Sequence, residues 1–380
     1  MSEYVTPTPF LARFYVLKYT MRIVTIIGSA ETGGAEALIQ NWSDWRLSKA
    51  NHLLIIIKGK GFFSQKYEDI FLKVVYLNAS YNPVKLLLGF FKAILSIIKF
   101  RPNIIHTHLA HADILGLLFT FLKFSVVTTI HSSSITTETK SVSRFLVKTI
   151  AKFSRCFAGI ICVSNSGLKY AIELGYDSRN MRVIPNGVPS NSPINPLTNF
   201  NFGFLNLARW HPVKDHATLI EGFFLHQKEH SGCYLLLAGN QIDSSNKDLK
   251  SLIEETGSKT ILLNEGPGDS DLLLQSAKAL VISSTTESLP MAGLEALSVG
   301  VPVITSKVGD FKSLIISERQ SFDIQDPIDL ARALAYICSL SQADYSKLSS
   351  ASLNLFNSNY SSDKWIQAHI EFFEDMLELK

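Results

Sequence analysis

Glu287 and Glu295 are carboxylates eight positions apart in the stretch ISSTTESLPMAGLEALSVGVPVI, residues 282–304. Ionised carboxylates only accept hydrogen bonds and sugar hydroxyls donate them, so such a pair suits separate diols of one extended polyhydroxylated ligand. Complementary charge stands elsewhere, with Arg209 and Lys214 five apart in NLARWHPVKDH, residues 206–216. A fixed guanidinium and ammonium suit a diphosphate, above all one whose charge grows as it departs. Alone, either pair is of a kind common on solvated surfaces; the elements that carry them give them weight.

The apolar run Ala279 to Ile282 reads as a buried strand, Ser283 to Pro290 as the loop at its carboxyl end, and Met291 to Ser298 as a helix stopped by Gly300 and Pro302. Ligands of open α/β sheets collect at that end of the strands. Arg209 likewise follows a strand, Phe202 to Leu207. Near the start, RIVTIIGSAETGGAE gives a strand from Arg22 to Ile27, a turn with Gly28, Gly33 and Gly34, and a helix from about Ala35. Amides at such a helix start attract phosphate. The spacing Gly28-x4-Gly33 imitates a P-loop, but Gly34 and Ala35 stand where Lys and Ser or Thr are needed, and GxGxxG is absent. NIIHTHLAHADILG, 103–116, carries His106, His108 and His111, and SVVTTIHSSS, 125–134, ends a strand at His131. The first three lack both the i, i+4 pairing and the carboxylate or Cys partners of a zinc site, so no metal is expected.

In this order the motifs resemble the retaining glycosyltransferases of family 4, with the GT-B fold: Glu-x7-Glu in its Glu287-Ser-Leu-Pro-Met form with the trailing GVPVI, the Arg209 and Lys214 pair, GGAE, His131, and the segment 160–188 ending in VIPNGV. The resemblance spans about Met21 to Glu318 and is similar above all to bacterial enzymes of O-antigen, capsule or exopolysaccharide assembly. It implies an α/β architecture of two Rossmann-like parallel-sheet domains facing each other across a cleft. It further implies that Glu295 holds the ribose, together with Leu289, Pro290 and Met291 of the same motif, and that Glu287 holds the donor sugar. Arg209 and Lys214 then stabilise the departing diphosphate in place of a metal, Gly33 and Gly34 lie between donor and acceptor, and His131 sits beside the reacting sugar. The nucleotide-sugar, UDP by family frequency, is a co-substrate, and no cofactor or metal is expected. Asp269-Ser270-Asp271 resembles the DxD metal motif of the other glycosyltransferase fold, but its place before LLLQSAK reads as helix capping.

The chain has 380 residues, enough for two cores, and its strand–helix alternation argues for parallel sheets covered on both faces. Domains are expected at 1–190, with 1–20 an extra element or an upstream start, and at 191–360, with a terminal helix over 361–380 packing back on the first. The boundary falls in PNGVPSNSPINPLTNFN, rich in Pro, Asn and Ser and without charge. Cys156, Cys162, Cys233 and Cys338 show no CxxC spacing and read as reduced thiols of a cytosolic protein. No signal peptide fits the first twenty residues, where Arg13 and Lys18 interrupt the apolar run.

The net charge of +3 hides an asymmetry, because residues 1–190 carry 22 Lys plus Arg against 10 Asp plus Glu, or +12, and the remainder −9. A cationic first half suggests an anionic acceptor or membrane surface. In VKLLLGFFKAILSIIKFR, 84–101, Lys85, Lys92 and Lys99 form one stripe on an otherwise apolar helix. In SRFLVKTIAKFSR, 143–155, Arg144, Lys148, Lys152 and Arg155 oppose Leu146, Ile150 and Phe153. Each suits either a helix in a bilayer interface or one that covers a sheet with its cations in water. Neither is long and apolar enough to span a bilayer. Nothing reads as a nucleic-acid module. The expectation is a peripheral enzyme on the inner face of the cytoplasmic membrane with a nucleotide-sugar donor and a lipid-linked glycan acceptor. A GT-B-fold sugar-nucleotide epimerase and a non-catalytic glycan-binding protein are the alternatives, and a nicotinamide enzyme is excluded by the missing pyrophosphate fingerprint.

Overall fold

The computed structural model describes residues 21–44, 48–79, 83–133, 141–190, 202–230, 232–264 and 270–379. The segments 1–20 and 191–201, and Asp269, lie outside them.

Short runs of β-branched and aliphatic residues form two all-parallel sheets. The first joins β1 (Ile23–Ile27), β2 (His52–Ile56), β3 (Lys73–Tyr76), β4 (Ile104–His108), β5 (Val126–Ile130), β6 (Gly159–Cys162) and β7 (Met181–Val183) in the order β3-β2-β1-β4-β5-β6-β7. The second joins β8 (Phe202–Leu207), β9 (Leu235–Ala238), β10 (Ile261–Leu263), β11 (Ala277–Ile282), β12 (Val303–Ser306) and β13 (Ser321–Phe322) in the order β10-β9-β8-β11-β12-β13. Strands such as β1, β2 and β4 are buried along their whole length, as expected when helices cover both faces. In register, Ile27 sits beside Ile56 on one side and His108 on the other, so the carboxyl ends of β1, β2 and β4 form one edge.

Strand order reverses between β1 and β4 in one sheet and between β8 and β11 in the other. These switch points open crevices at the carboxyl ends, where the loops with Gly33, His131, Arg209 and Glu287 emerge. The helix Met291–Ser298 has the bounds its pattern predicts, and Gly300 (φ +79) ends it in the left-handed region that favours glycine. The last helix, Ser362–Glu378, packs Trp365, Ile370 and Phe373 into the core beneath β1 and β2, beside Trp42. A hydrogen bond from Val188 N–H to the Tyr360 carbonyl (2.9 Å) guides it across.

The helix Pro83–Phe100 covers the first sheet with one face and leaves a second apolar face exposed. Ala93, Ile97 and Phe100 pack on the first sheet, while Leu87, Leu88, Phe91, Leu95 and Ile98 are more than half exposed. The second basic helix, Ser141–Phe153, buries Ile150, but Phe153 is 40% exposed and Arg155 falls in the following 3-10 turn, so its expected two-sided pattern is broken at the end. No described helix is long and apolar enough to cross a membrane. All four cysteines are free, and Cys233 and Cys338 come within 3.5 Å of each other at the amino end of the second sheet.

Candidate active site

Both glutamates follow β11, Glu287 in the loop after it and Glu295 on the helix Met291–Ser298. Glu287 Oε1 receives the Lys214 ammonium and, at 2.9 Å, the Ser284 hydroxyl. Lys214 is aimed by backbone bonds. It closes the turn Pro212–Lys214, its carbonyl accepts from Ser283 Oγ at 2.8 Å, and Thr285 N–H reaches the Val213 carbonyl at 2.8 Å. Asp215 follows in the left-handed region (φ +46) and caps the helix His216–Glu229 by accepting from Thr218 N–H at 3.2 Å. Asp tolerates that conformation because its short side chain bonds locally. The loop after β8 is thereby laced to the loop after β11, and ammonium meets carboxylate without a search.

The first half of the chain grips the same loop. Ser133 Oγ donates to the Glu287 carbonyl (2.7 Å), and the Ser164 and Ser288 hydroxyls are 2.6 Å apart. Asp310 accepts from the Asn165 and Ser166 amides (2.7 and 2.8 Å), the first N–H groups of the helix Asn165–Glu173, where the helix dipole also favours a negative charge. Gly309 (φ +53) lets this segment pass under the Glu287 carbonyl, which a Cβ there would strike.

Two cavities adjoin in the cleft. The larger, about 690 Å³, is walled by Gly33 and Gly34 from one half and by Arg209, Gly239, Met291 and Glu295 from the other. The smaller, about 280 Å³, is walled by His131, Ser133, Arg209, Lys214 and Glu287. Arg209 lines both. Burial, with a smaller contribution from Asp271, pushes the Glu295 carboxyl up to about 7. Burial holds His131 down at about 4, so it is neutral, with Nε2 at 2.9 Å from His108 Nδ1.

Three expected positions behave differently. Leu289 lines neither cavity, because its side chain is buried in the core of the second half and its carbonyl accepts from Asn186 Nδ2 at 3.3 Å. Pro290 also lines neither, serving as the residue before the helix Met291–Ser298, with its carbonyl accepting from Gly293 N–H. The start of the helix Gly34–Ile39 is already covered by the chain's own Glu36 carboxylate, which accepts from Ser29 Oγ at 2.8 Å and would collide with a Cβ on Gly33. Gly34 faces Met291 across the cleft, where an added Cβ would make an ordinary contact at 3.5 Å. His106 and His108 are buried on β4, and His111 is exposed on the next helix, so the three do not converge. Residues that the motifs did not mark include Ser133, Ser283, Gly239 and Asp310.

Two family models match in succession, "Glycosyltransferase Family 4" over residues 32–192 and "Glycosyl transferases group 1" over 194–352. The chain belongs to the family 4 glycosyltransferases. A curated relative of this glycosyltransferase is the Escherichia coli UDP-Gal:alpha-D-GlcNAc-diphosphoundecaprenol alpha-1,3-galactosyltransferase, 24% identical over 245 residues, or 60% of this chain and 63% of the relative. The match thus spans less than two thirds of that relative's length. Among solved structures, Anabaena HepE in complex with UDP aligns with a TM-score of 0.79 at 18% identity, covering 93% of this chain and all of the other. A glycosyltransferase from Rickettsia africae aligns at 0.78 and 18%, covering 95% of this chain and all of the other. Both support the GT-B fold of this family 4 member.

Proposed function

We propose that this glycosyltransferase moves a sugar from a UDP-sugar to a lipid-linked glycan acceptor with retention of anomeric configuration and without a metal. The observation that carries the reading is the pair of adjoining cavities bridged by Arg209, with Glu295 in the larger and Lys214, Glu287 and His131 in the smaller. The nucleotide fills the larger space with its ribose on Glu295, and the diphosphate lies between Arg209 and Lys214. The sugar enters the smaller space against Glu287. Because Lys214 and Ser284 engage Glu287 Oε1, that carboxylate is a charge partner and hydroxyl acceptor instead of a nucleophile. As the anomeric carbon–oxygen bond to phosphate breaks, the acceptor oxygen bonds to the same face and its proton passes to the leaving phosphate. Arg209 and Lys214 supply fixed positive charge where negative charge develops, the role a metal plays elsewhere. The UDP of the HepE complex and the UDP-galactose and diphosphoundecaprenol in the name of the E. coli relative support the choice of donor and acceptor.

Thermal shift with UDP, GDP and ADP in EDTA tests the site. UDP should stabilise the wild type and not Glu295→Ala; no shift with any nucleotide would overturn the reading. The raised Glu295 carboxyl adds a sign. Only the ionised form accepts from both ribose hydroxyls, so UDP affinity should fall about twentyfold from pH 7.5 to 5.5, following the loss of carboxylate below about 7. Glu295→Gln should bind weakly at both pH values; an equal pH response in the two proteins would remove Glu295 from the binding equilibrium.

We assign the membrane contact to the exposed side of the helix Pro83–Phe100, where Lys85, Lys92 and Lys99 accompany the apolar residues. Replacing all three lysines with Glu should release the enzyme from anionic vesicles, at about 1 kcal/mol per lost cation before counting repulsion. Unchanged co-sedimentation would remove this face from membrane binding.

A further inference from the structure

A third cavity, about 460 Å³, lies apart from the donor cleft between the first sheet and the helices Pro83–Phe100, Ala110–Phe121 and Ser141–Phe153. Its walls are aliphatic and aromatic, with Ile57, Ala79, Phe90, Leu115 and Leu146 among them. Among the described residues His111 is the one polar side chain in the lining. Its volume lies within the roughly 300–1,000 Å³ range of ligand sites. It is open, and the exposed Leu87 and Leu118 stand at its walls.

Its position follows from the topology. Ile57 directly follows β2, Ala79 lies three residues beyond β3, and Leu87, Phe90, His111 and Leu115 belong to the first half of the helices that follow β3 and β4. Every one of these lies toward the carboxyl edge of the first sheet, the edge that also carries His131 and the donor cleft. Cations occur on the same elements: Lys58 follows Ile57 in the chain, and the exposed Lys85 and Lys148 stand on the first and third covering helices. An apolar slot on elements that also carry exposed lysines, toward the same carboxyl edge as the transfer site, matches an amphiphile with an anionic head.

We propose that this cavity receives the hydrocarbon chain of the lipid-linked acceptor, its phosphate meeting His111 and the neighbouring cations and its glycan reaching toward His131. This rests on the lipid-acceptor reading given above and adds a separate site to it. One chain is drawn out of the bilayer into the protein, while the exposed side of the helix Pro83–Phe100 rests on the surface. Acceptor affinity then depends on chain length, and the walls of the cavity set where that dependence stops.

The probe is a series of single-chain alkyl phosphates, from hexyl to pentadecyl, below their micellar concentrations. Wild-type affinity should rise about three- to fourfold per added methylene until the slot is full. Ala79→Phe and Leu115→Trp, which occupy the cavity, should abolish the increments and weaken the longest chain at least tenfold, while stabilisation by UDP is unchanged. Leu87→Gln with Leu118→Gln, at exposed positions that folding tolerates, should flatten the series if either filled variant fails to fold. A series equally steep in wild type and folded variants, or flat in the wild type, overturns the proposal. The two readings also separate: a lost nucleotide response with an intact chain-length series sinks the donor assignment and leaves the lipid site, and the reverse removes the cavity alone.

Discussion

Lys214→Met should lower turnover by about two to three orders of magnitude with UDP affinity reduced far less, because in the proposed mechanism the ammonium acts on charge that appears mainly as the diphosphate leaves. Glu287→Ala should cost at least about a hundredfold. The double variant should be little worse than Lys214→Met. In the structure the two side chains form one unit, with the Lys214 ammonium on Glu287 Oε1 and both of their loops held by Ser283 and Thr285. Once either member is gone, the other has lost the partner that aims it, and groups acting as a unit are strongly non-additive. Full additivity in a kinetic cycle would mean two independent contributions, and near-native turnover in either single variant would remove that residue from the mechanism.

Neither change should unfold the protein. The ion pair is partly exposed, with Lys214 and Glu287 side chains 26% and 16% accessible, so its net contribution to stability is small once solvent screening is counted. The lacing around it is main-chain and serine hydroxyl bonding that survives both substitutions. Circular dichroism and urea unfolding alongside kinetics separate loss of chemistry from loss of fold.

How much of this was legible in the sequence follows from the range of each interaction. The strand, loop and helix around Glu287 and Glu295 follow from a local apolar run, a polar loop and Gly300, all within a few residues of one another. Arg209 and Lys214 were equally legible, since they follow a strand of clear pattern. Belonging to a motif does not give a side chain's direction, and Leu289 turns into the core while Pro290 precedes the helix Met291–Ser298. The grip of Ser133 on the Glu287 carbonyl, and of Asp310 on the Asn165 helix, joins residues about 150 apart through hydroxyls and amides that any surface loop carries. No spacing rule reaches that far. The same holds for the apolar cavity, since apolar residues of several elements read as core until folding leaves a gap between them.

Acidification should destabilise the protein by about 4 kcal/mol between pH 6.5 and 5.5, chiefly through a set of buried histidines under the first sheet. Burial lowers His52 and His369 to about 3 and His131 to about 4, and holds His106 and His108 well below the ordinary value, with neighbouring histidines adding to the effect on the last two. They pack ring to ring, His106 against both His108 and His369, so no cation among them is easily accommodated. The unfolded chain takes up these protons near pH 6.5 while the folded chain does not, so stability is present above that pH and falls as pH drops toward the folded values. Two carboxyls act in the opposite sense. Burial raises Asp113 and Glu295 to about 7, so the folded state binds their protons first and gains stability on acidification through the same window. His216, which burial and to a lesser extent Lys214 hold down at about 4 in the second half of the chain, adds a sixth histidine, so six against two carboxyls leave a net uptake of about four protons on unfolding, a slope of about 5 kcal/mol per pH unit once the histidines of the unfolded chain are fully protonated. Denaturant unfolding at pH 5.5, 6.0 and 6.5 measures it directly. His369→Gln should remove about one proton from the slope and Asp113→Asn should add about one. A slope near zero in the wild type would mean that the histidine array is charged or solvated in the folded protein, and His131 would then face the smaller cavity, the proposed sugar site, as a cation instead of a neutral imidazole.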